Sequence, residues 1–160
     1  MSPGSPPPLV EVSGLRLWAG AQTLVEGLDW RVNAGERWCL IGRNAAGKSS
    51  LLRALAGLPV AGREGRVSWL GRPQEDWPVA EAAGLRACMP QQPVDRFALP
   101  VQRLRALSTV AGSGATEGDL EALDIAHRAE RPVTRLSGGE RQRVALAQAA
   151  VQGAPLLLLD

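Results

Sequence analysis

The stretch Gly42–Ser49 combines glycines, a lysine and a serine at a spacing that can bind phosphate. Backbone N–H groups of such a loop and of a following helix point at phosphate oxygens. Lys48 would place a positive charge on the outer phosphates, and the Ser49 hydroxyl would bind magnesium. Lys48 is the only lysine among 18 basic residues. Because a compact, flexible ammonium suits a phosphate cradle better than a planar guanidinium, this choice favours phosphate binding.

The flanking residues predict the elements that would hold this loop. Trp38–Ile41 is a short apolar run that predicts a buried strand before it. Ser50–Ala56 predicts a helix after it, and Gly57 is suited to end that helix. A strand, a glycine loop and a helix in this order are the context of a P-loop, or Walker A, motif. The alternative is a surface Gly-Lys-Ser turn.

Composition limits the class of protein. The 160 residues are 45% hydrophobic and 21% charged, which is typical of a globular chain. A net charge of +2 without basic runs gives no support for nucleic-acid binding. Neither a signal-peptide pattern nor an apolar run near the ~20 residues of a membrane span is present, so we expect a cytoplasmic protein. Cys39 and Cys88 lie in apolar runs and are expected to be buried core thiols.

The first half of the chain is predicted to be rich in strands. Val10–Leu17 predicts a strand interrupted near Gly14 and ending at Trp18, and Leu24–Val32 alternates like its antiparallel neighbour. The remaining predictions are a disordered leader at residues 1–8, a turn at Asn33–Glu36, a loop at Gly62–Gly65, and short strands at Val67–Leu70 and Leu85–Met89.

From Pro93 onward the spacing of apolar residues becomes helical. The predicted elements there are helices at Val101–Val110 and Thr116–Ala126, a third helix at Arg141–Gln152 opened by Leu136–Glu140, and an apolar strand at Leu156–Leu159 that ends in Asp160. Strands and helices together predict an α/β protein.

Four motifs in one order resemble those of the ATP-binding subunit of ABC transporters, and they are Gly42–Ser49, Gln91, Leu136–Glu140 and Leu156–Asp160. The resemblance extends from about Val10 to Asp160. It implies an α/β P-loop NTPase fold with a RecA-like core, an N-terminal antiparallel β subdomain and a helical insert subdomain. It divides the chain into a leader (1–8), the β subdomain with the P-loop part of the core (9–92), the helical subdomain (93–135), and the signature helix with the Walker B strand (136–160).

The resemblance also assigns roles by position. Trp18 would stack on adenine, the alternative being a tryptophan of the core or of a strand edge. Gln91, rather than the adjacent Gln92, would contact magnesium and the γ-phosphate side. Asp160 would be the Walker B aspartate, which holds magnesium through its water shell. The signature motif begins at Ser137, whose hydroxyl would meet the ATP of a second subunit together with nearby glycine N–H groups.

The implied site residues fall into three sets. The nucleotide-binding set is Trp18, Gly42, Arg43, Asn44, Ala45, Ala46, Gly47, Lys48, Ser49, Ser50, Ser137, Gly138 and Gly139. The magnesium-binding set is Ser49, Gln91 and Asp160, and the catalytic set is Lys48, Gln91 and Asp160.

The chain departs from the family's pattern at several positions. Ala45 replaces a glycine, which would cost ~1 kcal/mol or more if that position needs a positive φ. Ser50 for threonine and Glu140 for glutamine look minor. The family's catalytic glutamate and switch histidine come after the Walker B aspartate, at which this chain ends. His127 precedes the signature, so it does not match that histidine and is expected to be a solvated loop residue.

The resemblance implies a function. ATP and Mg²⁺ would be the cofactors, and a second ATP-binding subunit in a head-to-tail dimer and transmembrane permease subunits the partners. The subunit would lie on the inner face of the cell membrane and couple ATP binding and hydrolysis to solute transport. Residues 86–91 and 97–101 look most like those of importers of iron–siderophore, haem or cobalamin complexes.

Three alternatives remain open at the sequence level: an exporter, a soluble non-transport ATPase of the ABC type, and a nucleotide-binding fragment without turnover. A chain that ends at Asp160 is expected to lack the C-terminal part of the core. It would also lack the glutamate that positions the attacking water, so we expect hydrolysis from the full-length parent and not from these 160 residues.

Overall fold

The computed structural model describes residues 6–92, 98–103 and 123–160. The chain divides into two compact units, residues 1–82 and 83–160. The first unit contains a four-stranded antiparallel sheet and the helix α1 (Lys48–Leu55). Its strands are β1 (Val10–Ala19), β2 (Gln22–Val32), β3 (Gly62–Trp69) and β4 (Arg72–Pro73), in the order β2-β1-β3-β4.

A β-bulge in β1 keeps its apolar side chains on one face of the sheet. Val10 and Val12 are buried, and after a register shift Leu15 and Leu17 are buried too. Without an extra residue, side chains three positions apart would point to opposite faces. Gly14, at φ 56°, supplies the left-handed backbone that the bulge needs. The predicted interruption near Gly14 is therefore a bulge within one continuous strand.

The segment predicted as a loop at Gly62–Gly65 is instead the start of β3, so that prediction was wrong. Residues 62–64 pair with residues 16–18 of β1, which extends the strand beyond its apolar part. Gly65 is required there, because a Cβ would lie 2.4 Å from the Gly14 carbonyl oxygen across the bulge. Gly62 and Gly65, which suggested a loop in the sequence, thus allow β3 to pack closely against residues of β1.

The predicted strand at Trp38–Ile41 is also absent. These residues have no sheet partner within the described part of the chain, and Trp38 and Ile41 are 59% and 92% exposed. An apolar run forms a buried strand only where neighbouring strands take up its backbone hydrogen bonds. The turn before it is present, with the Glu36 N–H donating to the Asn33 carbonyl (3.2 Å).

The second unit pairs two strands in parallel and packs a helix against them. The strand β5 (Arg86–Met89) follows the short helix α2 (Val79–Leu85), which crosses the boundary between the units. It pairs residue for residue with β6 (Leu156–Leu159), as expected for an apolar final strand. The helix α3 (Gly138–Val151) precedes β6.

A buried cluster lies beneath α3. Its members come from the helix and from the segments before it, and they are Val101, Ile125, Val133, Leu136, Val144 and Ala147. Short 3₁₀ turns at Ala126–Arg128 and Val133–Arg135 carry part of this cluster. These packed residues fix the segment from which α3 begins.

Two predicted helices fall largely outside the described residues. Residues 101–103 are helical, and the rest of the helix predicted at 101–110 lies outside the description. Of the helix predicted at 116–126, only residues 123–126 are described, and they form turns. Asp124 has φ 51°, a left-handed backbone that an α-helix cannot contain, so the predicted end at Ala126 was wrong.

Both cysteine predictions were wrong as well. Cys39 and Cys88 are exposed thiols, because one lies in the unpaired segment and the other faces out of β5. Partial desolvation raises the pKa of Cys88, with the Arg86 charge acting in the opposite direction. His127 is exposed, as predicted for a solvated residue, and lies 3.8 Å from the Asp124 carboxylate.

Candidate functional site: a phosphate loop and a capped signature helix

The phosphate loop occupies residues 42–47 and leads directly into α1. Lys48, Ser49 and Ser50 are the first three residues of that helix. The Lys48 Nζ donates to the carbonyl oxygens of Gly42 and Arg43, both at 2.9 Å. The lysine therefore folds back over the start of the loop, and its charge lies beside the loop backbone.

Gly47 joins the loop to the helix in a left-handed conformation that favours glycine. It is the N-terminal cap of α1 at φ 91°, and its carbonyl accepts the Leu51 N–H at 2.8 Å. A Cβ at Gly47 would lie 2.8 Å from the Cβ of Leu24 on β2. The sheet thus packs against the base of the loop, and both backbone strain and contact exclude a side chain.

Ala45 shares this left-handed geometry without being a glycine. Its φ is 61°, and it forms a turn with Asn44 at the tip of the loop. The Ala46 N–H closes the loop onto the Arg43 carbonyl at 3.2 Å. The position of Ala45 therefore does need a positive φ, as the sequence analysis considered. An alanine in this left-handed conformation costs the fold ~1–2 kcal/mol.

The far end of α1 is held by two side chains that the sequence did not reveal. The Trp69 indole donates to the Leu55 carbonyl at 3.0 Å, and the Gln74 amide donates to the same oxygen at 2.8 Å and to Ala54 at 3.2 Å. Gln74 is buried and accepts a bond from Arg63 at 3.0 Å. These bonds satisfy carbonyls that the helix end leaves open, and they fix α1 against β3.

Trp18 lies half-buried at the end of β1, beside a small cleft of about 210 Å³. Its ring covers Gly62, where a Cβ would fall 2.1 Å from the ring atom Cε2. The Arg16 guanidinium lies 6.0 Å from the ring centroid. The cleft is lined by Arg16, Trp18, Gly20, Ala21, Thr23 and Glu64. An aromatic ring at such a cleft can stack on a planar base, which fits the predicted role.

Gln91 and Asp160 belong to the second unit and lie at the same end of its sheet. Gln91 is exposed two residues beyond β5, and Asp160 directly follows β6. The Asp160 N–H donates to the Met89 carbonyl at 3.0 Å, which ties the two strand ends together. Their side chains carry oxygen atoms, the donors that magnesium prefers. The carboxyl edge of a parallel sheet is also where α/β proteins bind ligands.

The signature residues begin α3 as predicted. Ser137 is its N-terminal cap, and its hydroxyl accepts the Glu140 N–H at 3.3 Å. The Glu140 carboxylate accepts the Ser137 N–H at 2.8 Å and the Arg128 Nε–H at 2.8 Å. A Cβ on Gly138 or Gly139 would meet no heavy atom within 4 Å, so this side of the helix start is open.

Glu140 closes the cap of α3 and also pairs with an arginine outside the helix. Its bonds to Ser137 and Arg128 hold the pKa of the carboxyl at about 2. The Ser-x-x-Glu spacing is itself a capping-box pattern, so this part was readable from the sequence. The bond from Arg128, which lies 12 residues earlier, has no such signal.

Comparison with known proteins identifies the family and the fold. The sequence model described as ABC transporter matches residues 25–160, so the chain belongs to the ABC transporter family. The family's α/β P-loop NTPase fold is confirmed by a solved ATP-binding subunit of an ABC transporter. That structure superposes with a TM-score of 0.82 at 28% identity, covering 95% of this chain and 65% of that one.

Two curated relatives give the family match more detail. The hemin import ATP-binding protein HmuV of Streptomyces coelicolor is 41% identical over 99% of this chain and 61% of that protein. The cytochrome c biogenesis ATP-binding export protein CcmA of Cupriavidus necator is 35% identical over 96% of this chain and 69% of that protein. This chain therefore spans about three-fifths of the length of the hemin import relative. Within the described residues, no helix is long and apolar enough to cross a membrane.

Proposed function

We propose that the chain is the nucleotide-binding part of an ABC importer subunit that uses ATP to take up a haem-like metal chelate. The observation that carries the nucleotide part is the phosphate loop, where Lys48 folds over the loop at the start of α1. The substrate class rests on the hemin import relative and on the resemblance of residues 86–91 to importers. An exporter is the second candidate, because a cytochrome c biogenesis export protein is also similar.

Residues of the first unit would bind both the phosphates and the adenine of ATP. Backbone N–H groups of residues 42–50 would surround the phosphates, and the Lys48 ammonium would neutralise charge that develops on the transferred phosphoryl group. Trp18 would stack on the adenine. Because Gly47 rests on β2 and Gln74 holds the far end of α1, the loop is set before the nucleotide arrives. Such preorganisation lowers the entropic cost of binding.

Each of the three proposed magnesium ligands carries an oxygen donor of the kind that magnesium prefers, and these are the Ser49 hydroxyl, the Gln91 amide oxygen and the Asp160 carboxylate. When bound, the ion would neutralise phosphate charge. A second ATP-binding subunit would present its Ser137, Gly138 and Gly139 to the nucleotide, and transmembrane permease subunits would hold the pair at the inner face of the membrane. Gln91 and the described residues of the segment that follows it, 98–103 and 123–135, would face that permease.

Lys48→Ala tests the nucleotide part of the proposal in an ATP-binding titration. We expect affinity to fall about ten- to hundredfold, since hydrogen bonds to charged groups are worth ~1.5–3 kcal/mol. Arg66→Ala is the matched control, because Arg66 is an exposed cation on β3 outside the loop, and it should bind like the unchanged protein. Equal ATP affinity of the Lys48 and Arg66 variants would contradict the phosphate-loop assignment.

A further inference from the structure

Arg128 contacts the signature helix from outside it. Its Nε donates to the Glu140 Oε1 at 2.8 Å, while the other carboxylate oxygen accepts the Ser137 N–H. The Glu140 side chain is 13% exposed and that of Arg128 is 36% exposed, so the pair is partly shielded from water. Arg128 is held in place by its own turn, Ala126–Arg128, which follows the buried Ile125.

Both oxygens of Glu140 therefore accept hydrogen bonds from within the chain, one from Arg128 and one from Ser137. The Ser137 oxygen acts as an acceptor in the cap, which leaves its hydroxyl proton available for donation to a ligand. The open surface at Gly138 and Gly139 exposes the first-turn backbone to a ligand. Amide groups at a helix start attract anions. A free carboxylate in the same turn would repel an approaching phosphate through its charge.

We propose that Arg128 is a positioning residue for the signature motif, which it serves by neutralising Glu140 and fixing its carboxylate on the Ser137 amide. In that position Glu140 shapes the helix start without opposing the phosphate of a nucleotide held by a second subunit. The inference rests on the proposed function, because it assumes that the signature meets ATP. In this proposal Arg128 acts through Glu140 and makes no contact of its own with the nucleotide.

The test uses the full-length protein assembled with its partners and compares Arg128→Ala, Glu140→Gln and the double variant. Arg128→Ala should raise the ATP concentration for half-maximal hydrolysis about five- to tenfold, equivalent to ~1–1.4 kcal/mol. Glu140→Gln keeps the cap without the charge and should stay within about twofold of the unchanged protein. The double variant should recover to the same level, because no charge remains to be neutralised. Arg128→Lys should rescue in part, since it restores charge without the guanidinium geometry.

Two outcomes would overturn the inference. One is a double variant as impaired as Arg128→Ala, which would mean that Arg128 only packs against the turn. The other is an Arg128→Ala variant that hydrolyses ATP normally.

A second measurement separates this failure from failure of the proposed function. Carbon NMR titration of Glu140 should show its pKa rising toward the ordinary range in Arg128→Ala, whether or not the protein hydrolyses ATP. A Glu140 pKa that is the same in Arg128→Ala as in the unchanged protein would refute the interaction between Arg128 and Glu140. The expected rise in pKa, together with an unchanged protein that does not hydrolyse ATP, would refute the proposed function alone.

Discussion

Replacing Ala45 by glycine should stabilise the protein, because its backbone is already in the conformation that glycine prefers. An alanine at φ 61° carries ~1–2 kcal/mol of strain from its Cβ. Glycine removes this strain, but it also raises the conformational entropy of the unfolded chain, which lowers the free energy of unfolding by ~0.5–1 kcal/mol. The net gain in the free energy of unfolding is therefore ~0–1.5 kcal/mol.

Ala46→Gly is a control in the adjacent position of the same loop. Both alanines are exposed, but Ala46 does not have a positive φ. The control should therefore lose ~0.5–1 kcal/mol, because it pays the glycine entropy without relief of strain. The unfolded-state terms cancel between the two variants, so their difference of ~1–2 kcal/mol isolates the strain at Ala45.

Urea unfolding measures this difference directly. With a slope of ~2 kcal/mol/M, the midpoint of Ala45→Gly should lie about 0.5–1 M above that of Ala46→Gly. Equal midpoints with unchanged slopes would show that Ala45 is not left-handed in solution. The same variants address function, because Ala45→Gly should bind ATP at least as tightly as the unchanged protein.

Three further variants test other contacts. Gly47→Ala should destabilise the fold by ~2 kcal/mol or more and impair ATP binding, which thermal unfolding and ATP titration would measure, and an unchanged midpoint would contradict the close packing of Gly47 on Leu24. Gln74→Leu removes three hydrogen bonds, including one from Arg63, and should lower the free energy of unfolding measured in urea by ~1–3 kcal/mol. An unchanged urea midpoint would contradict the role of Gln74 in holding the end of α1. Because the pKa of Glu140 is lowered from 4.5 to about 2, its contribution to stability is present above the ordinary pKa and lost as pH falls toward 2. Glu140→Gln should flatten stability against pH in that window, and a curve parallel to that of the unchanged protein would refute the assignment.

Periodic patterns were enough to predict the elements whose hydrogen bonds are local or between neighbouring strands. The alternation in Leu24–Val32 predicted β2, and Gly57 marked the end of α1 because its φ of 66° follows the helical C-cap residue. The final apolar strand was predicted for the same reason. In each case the residue types that favour the element lie inside it or next to it.

Two apolar runs of similar length show where such patterns stop being informative. Leu156–Leu159 forms a strand because β5 supplies a parallel partner, whereas Trp38–Ile41 has no partner within the described residues and is largely exposed. A short apolar run does not encode its neighbour, and a strand exists only where one is present. The same lack of partner information led to the wrong burial for Cys39.

In the candidate site too, features set by neighbouring residues could be predicted from the sequence, whereas contacts from distant residues could not. Residue types and spacing placed Lys48 in a loop followed by a helix from Ser50, whereas the helix begins two residues earlier, at Lys48 itself. They also indicated that Ala45 would be strained if its φ were positive, and it is. They could not reveal that Gln74 holds the end of that helix, because a glutamine is usually a surface residue and only its position beneath α1 gives it three partners. For Glu140, the capping box was visible in the sequence, but the bond that its carboxylate accepts from Arg128 in another turn was not. A substitution in a phosphate-binding motif therefore has to be judged with the charges that pack against it from outside the motif.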